Sequence, residues 1–566
     1  MEGIGLSTID FVIIVVYLVG IVWYGIRKGK QQSSEEYFLA GRDMTWPIVG
    51  ISLFAANIGS NTLIGLTSDA FNTNVAVYNY EWMAAVVLVI FAIFFLPFYL
   101  KSKVYTMPEF LERRYDARSR FLFSAIMIVG NVIIDTASGL YAGNLILKII
   151  FPDVESWIII AFLAFAAAAY TIPGGLSSVV HTEVIQAVLL VFGSVLLTYF
   201  AMDQVGGWQG MLDGLNAMNA SGEIAKSSSE VLSLIRPASD HHMPWTGLIL
   251  GVPLLGFYFW ANNQFMVQRV LSAKDLDHGR WGALFAGLLK LPVLFFMVIP
   301  GVAAIVLFSD LDITFLNYMI PSDSGAVLCQ NLADCPNMTY PVLIYKLLPT
   351  GILGLVIAGL LAAMSSSISA TLNSASTLIT MDFTQKLNPN MGSKSLVRAG
   401  QIATVVLVIL AAAWAPMIES FSSLWVYLQQ ILGFISPPIV AAFVVGLFNK
   451  KSNAHGGFWS LVLGYLSVII FIIYSFSTYG GIGYEQNGIH FLYIVPTLFF
   501  LCIIFNLVIS AITGAPAADK IEGMIWTKQI YQEETQELQG LPWFKNYRIL
   551  ALILLIVTAI IVIWFR

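Results

Sequence analysis

Ala55-Ala-Asn-Ile-Gly-Ser-Asn-Thr62 interrupts the second of fourteen apolar runs in the chain, and Gly256-Phe-Tyr-Phe-Trp-Ala-Asn-Asn-Gln264 interrupts the seventh. Each stretch sets polar side chains and a glycine halfway through a segment otherwise apolar enough to cross a membrane. Lipid cannot hydrogen-bond an open backbone, so irregular chain at membrane depth must face protein, water or a ligand. Discontinuous helices at matching positions of two halves point to a transport site near the bilayer midplane. Kinked helices packed through small residues are the alternative. The five-run offset between the two breaks favours the transport reading.

The composition agrees with a membrane setting. Hydrophobic residues make up 58% of the chain and charged residues 11%, with a mean hydropathy of +0.80, whereas soluble domains carry roughly 25% charge. A spanning helix needs about 20 mostly apolar residues. Runs that meet this lie near 9–26, 46–72, 77–100, 121–151, 156–172, 182–202, 246–268, 281–308, 349–382, 399–417, 421–448, 457–476, 490–513 and 548–565, numbered here as spans 1 to 14. Span 1 is too long for a signal peptide, lacks a small-residue cleavage site and is flanked by acidic Glu2 and Asp10. The net charge of -5 gives no case for nucleic acid as a partner. Cys329 and Cys335 share one polar loop and can form a local bridge if that loop faces an oxidising compartment, while Cys502 belongs to an apolar helix.

Basic residues set the orientation. Arg27, Lys28, Lys30 and Arg42 follow span 1; Lys101, Lys103, Arg113, Arg114, Arg118 and Arg120 follow span 3; Arg269, Lys274 and Arg280 follow span 7; Lys386, Lys394 and Arg398 follow span 9; Lys450 and Lys451 follow span 11; Lys520, Lys528, Lys545 and Arg548 follow span 13. These are most of the 28 Lys and Arg. The positive-inside rule then places both termini outside a plasma (cell inner) membrane. An odd number of helices per half inverts topology, so spans 2–6 (46–202) and 7–11 (246–448) read as two inverted five-helix repeats separated by an external loop, 203–245. The peripheral parts are 1–45, with span 1, and 449–566, with spans 12–14 and an internal linker at 514–547. The fold class expected is an all-α polytopic membrane protein of 14 transmembrane helices with a five-plus-five inverted-repeat core.

Polar groups inside the spans mark the site. Leu360 to Ser376 in span 9 carries a column of hydroxyls, with Ser366 and Ser367 adjacent, Ser369 on the next turn and small Ala363 before them. An isolated serine is commonly interhelical glue; this cluster reads as ligands for a hard cation. Glu81 at the start of span 3, Asp135 in span 4 and Lys290 in span 8 are charges at membrane depth, each needing a partner or a wet cavity. An ion pair of Lys290 with Asp135 or with Glu81 is one reading. The other is a polar, uncharged ligand: Glu81 offers acceptors, Lys290 donors, Asn57 and Gln429 both, and Tyr80, Phe259 and Trp260 offer flat faces to the C–H side of a sugar ring. In span 11, Ser436-Pro-Pro438 is expected to kink the helix.

These residues resemble the sodium/glucose cotransporter family of solute:sodium symporters. The resemblance rests on Tyr37-Phe-Leu-Ala-Gly-Arg42, Ser52-Leu-Phe-Ala-Ala-Asn-Ile-Gly59, Tyr80-Glu-Trp82, Gly174-Gly-Leu-Ser-Ser178 and Asn373-Ser-Ala-Ser-Thr377 followed by Met381-Asp382. It implies a sodium ion (Na+) held by backbone carbonyls of Ala55, Ile58 and Ala363 and the hydroxyls of Ser366 and Ser367. It also implies a sugar site at Asn57, Glu81, Trp260, Lys290 and Gln429. Thr62 counts with this substrate site, but there, as at Ala84 and Gly256, the chain departs from sugar-transporting relatives, and Phe259 stands at the usual inner-gate tyrosine position, so galactose is not to be assumed. A second sodium, bound by an aspartate in some relatives, would here use Glu183 with Ser369 and Ser366 as possible partners, although one of the serine positions is Ala370.

The function expected is a sodium-coupled secondary active symporter that imports a monosaccharide, such as mannose, glucose or galactose, by alternating access. Symport of myo-inositol, or of a charged solute such as sialic acid or an amino acid, remains open, as does an uncoupled channel or sensor. A membrane enzyme is disfavoured, because the sequence has no His/Cys metal cluster, nucleophile elbow or Walker loop. The expected partners are the sugar or polyol, sodium and the lipid bilayer.

Overall fold

The computed structural model describes residues 6–28, 33–151, 154–316, 318–320, 327–420, 424–479 and 489–566. Glu2, Lys30 and the start of span 11 at 421–423 lie outside the described residues. The chain is overwhelmingly helical; among the described residues the strands are one short antiparallel pair, Met319–Ile320 against Val327–Leu328. Beside it Cys329 and Cys335 are joined by a disulfide, and Cys502 is buried and free.

Eleven helices among the described residues are long and apolar enough to cross a membrane, and two shorter apolar helices, Trp46–Asn57 and Ser156–Ala169, accompany them. This differs from the expected count of fourteen for a local reason: several spans are broken or bent. Span 2 is two half-helices, Trp46–Asn57 and Ser60–Thr73, separated by Ile58 (φ -94, ψ 82) and Gly59 (φ -96, ψ -179). Span 7 is built of Trp245–Leu250, Val252–Phe257 and a π-type turn at Tyr258–Asn262, then breaks at extended Asn263 before Gln264–Leu271. Both interruptions therefore fall where the polar stretches predict them. Spans 5 and 6 form one continuous run, Ser156–Val205, bent at Gly175 (φ 54, ψ -156). A Cβ there would lie 2.5 Å from the Tyr37 carbonyl oxygen, so both the backbone angle and the contact require glycine. Span 11, Leu424–Phe448, is one run of helix that contains Pro437 and Pro438.

Span 9, Ile352–Leu378, is the axis of the molecule. Its apolar window is 89% buried, against 22% for spans 1 and 14 and 33% for span 12, which puts those three at the rim. It packs most extensively along the bent Ser156–Val205 helix, and also against spans 1 and 10. Span 1 contributes more than packing. Asp10 Oδ1 accepts hydrogen bonds from the Gly351 and Gly354 amides, each at 2.7 Å. A carboxylate thus satisfies the otherwise unpaired N–H groups at the start of span 9, where the helix dipole also favours negative charge.

The 514–547 linker holds one short helix, Lys528–Glu537. It is fastened by Glu534, which pairs with Arg280 at the start of span 8, with Arg548 at 2.5 Å and with the Tyr547 hydroxyl at 2.6 Å. Burial pushes the Glu534 carboxyl upward, but Arg280 and the hydrogen bonds from Tyr547 and Arg548 outweigh this and hold it below the usual carboxylate range. A depressed value means that the contact is complete at neutral pH and is lost only as acid carries the pH down through that value. Limited proteolysis of the linker should accordingly rise in acid for the parent chain, whereas Glu534→Gln should be cut readily at neutral pH.

Candidate functional site

The unwound turn of span 2 leaves backbone carbonyls without helical partners. Thr62 Oγ1 donates to Asn57 O at 2.7 Å, and Ser367 Oγ donates to Ala56 O at 3.4 Å, while Asn61 Oδ1 accepts from the Thr62 amide at 2.9 Å. Among the described residues neither Ala55 O nor Ile58 O accepts a backbone hydrogen bond. The break lies directly against span 9: a Cβ built on Gly59 would come 2.3 Å from Ser367 Oγ. Glycine at this position is what lets the half-helices touch the serine column.

Two cavities flank this contact. The larger, of about 100 Å³, is lined by all eight residues expected to meet substrate: Asn57, Thr62, Tyr80, Glu81, Phe259, Trp260, Lys290 and Gln429. Lys290 Nζ pairs with the Glu81 carboxylate and donates to Asn57 Oδ1, and both charged groups are almost fully buried. The Lys290 ammonium also lies 5.9 Å from the Trp260 ring centroid, within reach of a cation–π attraction. Phe259 packs edge-on against Trp260, with ring centroids 5.3 Å apart, and Tyr80 meets Trp425 in the same manner at 5.7 Å. Of the two pairings open to Lys290, the structure forms the one with Glu81. Asp135 instead occupies the cavity wall, and among the described residues its carboxylate forms no ion pair.

The smaller cavity lies behind span 2. Four of the five expected sodium ligands, Ala55, Ile58, Ala363 and Ser366, line it together with Gln186, Phe54, Ala187 and Leu190. Ser366 Oγ is buried beside the Glu183 carboxylate without a hydrogen bond of normal geometry. Ser367, the fifth, lines the larger cavity, so the adjacent serines face one on each side of the break. Free carbonyls and an orphaned hydroxyl are the oxygen donors that a hard cation takes.

Of the residues expected at a second ion site, Ser366 lies beside Glu183, while Ser369 bonds elsewhere. Glu183 is wholly buried, with its carboxylate paired to Arg269 at 2.5 Å and accepting from Ser52 Oγ at 2.6 Å. Ser369 Oγ accepts from Thr171 Oγ1 at 2.6 Å. The Arg269 guanidinium thus supplies the positive charge beside Glu183, and Thr171 of span 5 bonds the serine. Asp382, read from sequence only as part of a motif, proves to be another buried anion. It is held by Arg120 at 2.6 Å and Thr106 at 2.7 Å, and by the Ser124 hydroxyl. Arg120, one of many basic residues after span 3, gave no sign of this pairing, because its partner is far away along the chain.

Comparison with known proteins adds an independent line. The profile of the sodium:solute symporter family matches residues 37–464. The chain is 32% identical to sodium/glucose cotransporter 4 of Danio rerio, covering 95% of this chain and 84% of that protein. It is 33% identical to the sodium/mannose cotransporter of Bos taurus, covering 93% and 90%. In three dimensions it is similar to a Na+-coupled sialic acid symporter solved in a substrate-bound, outward-open state, with a TM-score of 0.73, 21% identity, and coverage of 90% of this chain and 99% of the other. At that identity the likeness is one of fold.

Removing one member of a buried ion pair costs about 3–5 kcal/mol, whereas replacing both by apolar groups can be neutral. Lys290→Met should therefore lower the melting temperature in detergent sharply. The double variant Lys290→Met with Glu81→Leu should recover most of that loss.

Proposed function

The chain belongs to the sodium:solute symporter family, and on that premise we propose that it imports a neutral monosaccharide, a hexose such as glucose, mannose or galactose, coupled to sodium. The supporting observation is the convergence of Glu81, Lys290, Asn57 and Gln429 with the Trp260 and Phe259 rings on one cavity, next to the pocket of free carbonyls at Ala55 and Ile58. Vicinal hydroxyls need donors and acceptors in alternation, which an ammonium, a carboxylate and two amides supply. A carboxylate substrate is less well served, because the Lys290 charge is already matched by Glu81. The named sugars of the glucose and mannose cotransporter relatives agree with this reading.

In the proposed cycle sodium binds to Ala55, Ile58, Ala363, Ser366 and Ser367 and draws span 2 onto span 9, stabilising the outward-facing form. Sugar bound at Asn57, Thr62, Tyr80, Glu81, Phe259, Trp260, Lys290 and Gln429 then closes the outer path. Release of sodium inward loosens the contact, and the sugar follows. The architecture proposed is fourteen spans with two inverted five-helix repeats, 46–202 and 246–448, and both termini outside the plasma membrane. One charge moving through 100 mV is worth about 2.3 kcal/mol, and a tenfold sodium gradient adds about 1.4 kcal/mol. One sodium can thus support a substrate gradient of several hundredfold.

Proteoliposomes given radiolabelled hexoses, myo-inositol and sialic acid, with sodium or choline outside, test the proposal. Uptake of a hexose only with sodium is expected; uptake indifferent to sodium removes the symport reading, and uptake confined to inositol or acids removes the hexose reading. Lys290→Ala should abolish uptake while sodium binding persists in part, and Ser367→Ala should raise the sodium concentration needed for half-maximal uptake.

A further inference from the structure

Span 6 carries two polar side chains three residues apart, Glu183 and Gln186, which on a helix share one face. They are treated very differently by their surroundings. Glu183 is paired with Arg269, accepts from Ser52 and has Ser366 beside it. Gln186 is 1% exposed, and neither its amide oxygen nor its amide nitrogen has a hydrogen-bond partner. Buried amides are almost always paired, and one left unpaired calls for an explanation such as a water or an ion.

The surroundings of Gln186 favour the ion. It lines the same narrow pocket as Ala55, Ile58, Ala363 and Ser366, whose remaining walls are the apolar side chains of Phe54, Ala187 and Leu190. This pocket is a narrow crevice, and the polar groups that reach it include backbone carbonyls with no backbone hydrogen bond. Ser366 Oγ lines it as well, beside the Glu183 carboxylate but without a hydrogen bond of normal geometry. The unpartnered Gln186 amide oxygen and the Ser366 hydroxyl, from different spans, thus share one crevice with the two carbonyls freed by the break in span 2. An amide oxygen is a hard, neutral donor of the kind that coordinates alkali and alkaline-earth cations.

We propose that Gln186 is a further sodium ligand, contributed by span 6 through its side-chain amide oxygen. This rests on the symport reading and deepens it. The ion would then be gripped by three elements, span 2, span 9 and the bent Ser156–Val205 helix, so its binding draws all three together. A neutral ligand here also suits release: the Glu183 charge is matched by Arg269, and the amide adds an oxygen without adding charge.

The test uses the full chain in detergent and in proteoliposomes, with sodium alone as the first probe. Binding of radioactive sodium and the sodium-induced rise in melting temperature are measured for the parent, Gln186→Leu and Gln186→Glu, followed by sodium titrations of hexose uptake. Loss of a metal-site partner typically weakens affinity about 10–100-fold, so Gln186→Leu should raise the half-saturating sodium concentration by at least about tenfold, with the sugar KM at saturating sodium unchanged. Gln186→Glu, which adds a charge to the same oxygen position, should shift sodium affinity in the opposite direction and change the ratio of sodium to lithium response. A merely structural glutamine would alter stability but leave both the sodium titration and the lithium ratio where they were. Unchanged sodium curves in both folded variants would overturn the proposal while leaving symport intact; a parent chain indifferent to sodium would overturn symport and this ligand together.

Discussion

The contact between the unwound turn of span 2 and the serine column of span 9 is the constraint around which the molecule is arranged. Backbone groups opened in a membrane find no hydrogen bonds in lipid, so the turn at Ile58 and Gly59 must be enclosed by protein. Enclosure demands close approach, which Gly59 permits and which any side chain there would block. Closing that contact fixes the two cavities on either side of it, one for polar side chains of spans 3, 7, 8 and 11 and one for the carbonyl ends of span 2. Span 9 is consequently the most buried of the spans, and Asp10 of span 1 secures its first turn.

Buried charge supplies the second organising rule. Three ion pairs with both side chains almost entirely buried are Lys290–Glu81, Arg269–Glu183 and Arg120–Asp382. Each joins a residue of spans 2–6, or of the loop that leads into span 4, to one of spans 7–11. A buried pair is costly to break, because the survivor is stranded in low dielectric, so these pairs fix the register between the two groups of helices. They also explain why membrane-embedded charges are tolerated without each being a ligand. Only Lys290 and Glu81 line the larger cavity, where the pair presents donors and acceptors to a ligand while neutralising itself.

Much of this was legible along the chain. The helical class, the two interrupted spans and the eight residues that meet in one cavity follow from local patterns, since apolar length dictates insertion and a polar, glycine-bearing insert dictates a break. Other expectations needed revision. The number of unbroken helices differs because Gly59, Asn263 and Gly175 divide or bend spans. Around Glu183, offered with Ser369 and Ser366 as a second ion site, the structure adds Arg269 and keeps Ser366 close, while Ser369 bonds Thr171. Asp10 looked like a flank of span 1 and serves as a helix cap, and Gln186 drew no notice because a lone glutamine in an apolar span carries no pattern.

Sequence by itself determined what each segment can do in lipid: which runs insert, where a helix must open, and which side chains cannot be left facing hydrocarbon. These are properties of a residue and its near neighbours, set by hydration and backbone geometry. Tertiary structure alone decided which buried groups answer one another. Glu183 and Arg269 are 86 residues apart and Arg120 and Asp382 are 262 apart, separations over which local propensity says nothing. Whether a buried oxygen belongs to an ion pair, a helix cap or an ion site depends on the element packed against it, and that is settled only when the helices close on one another.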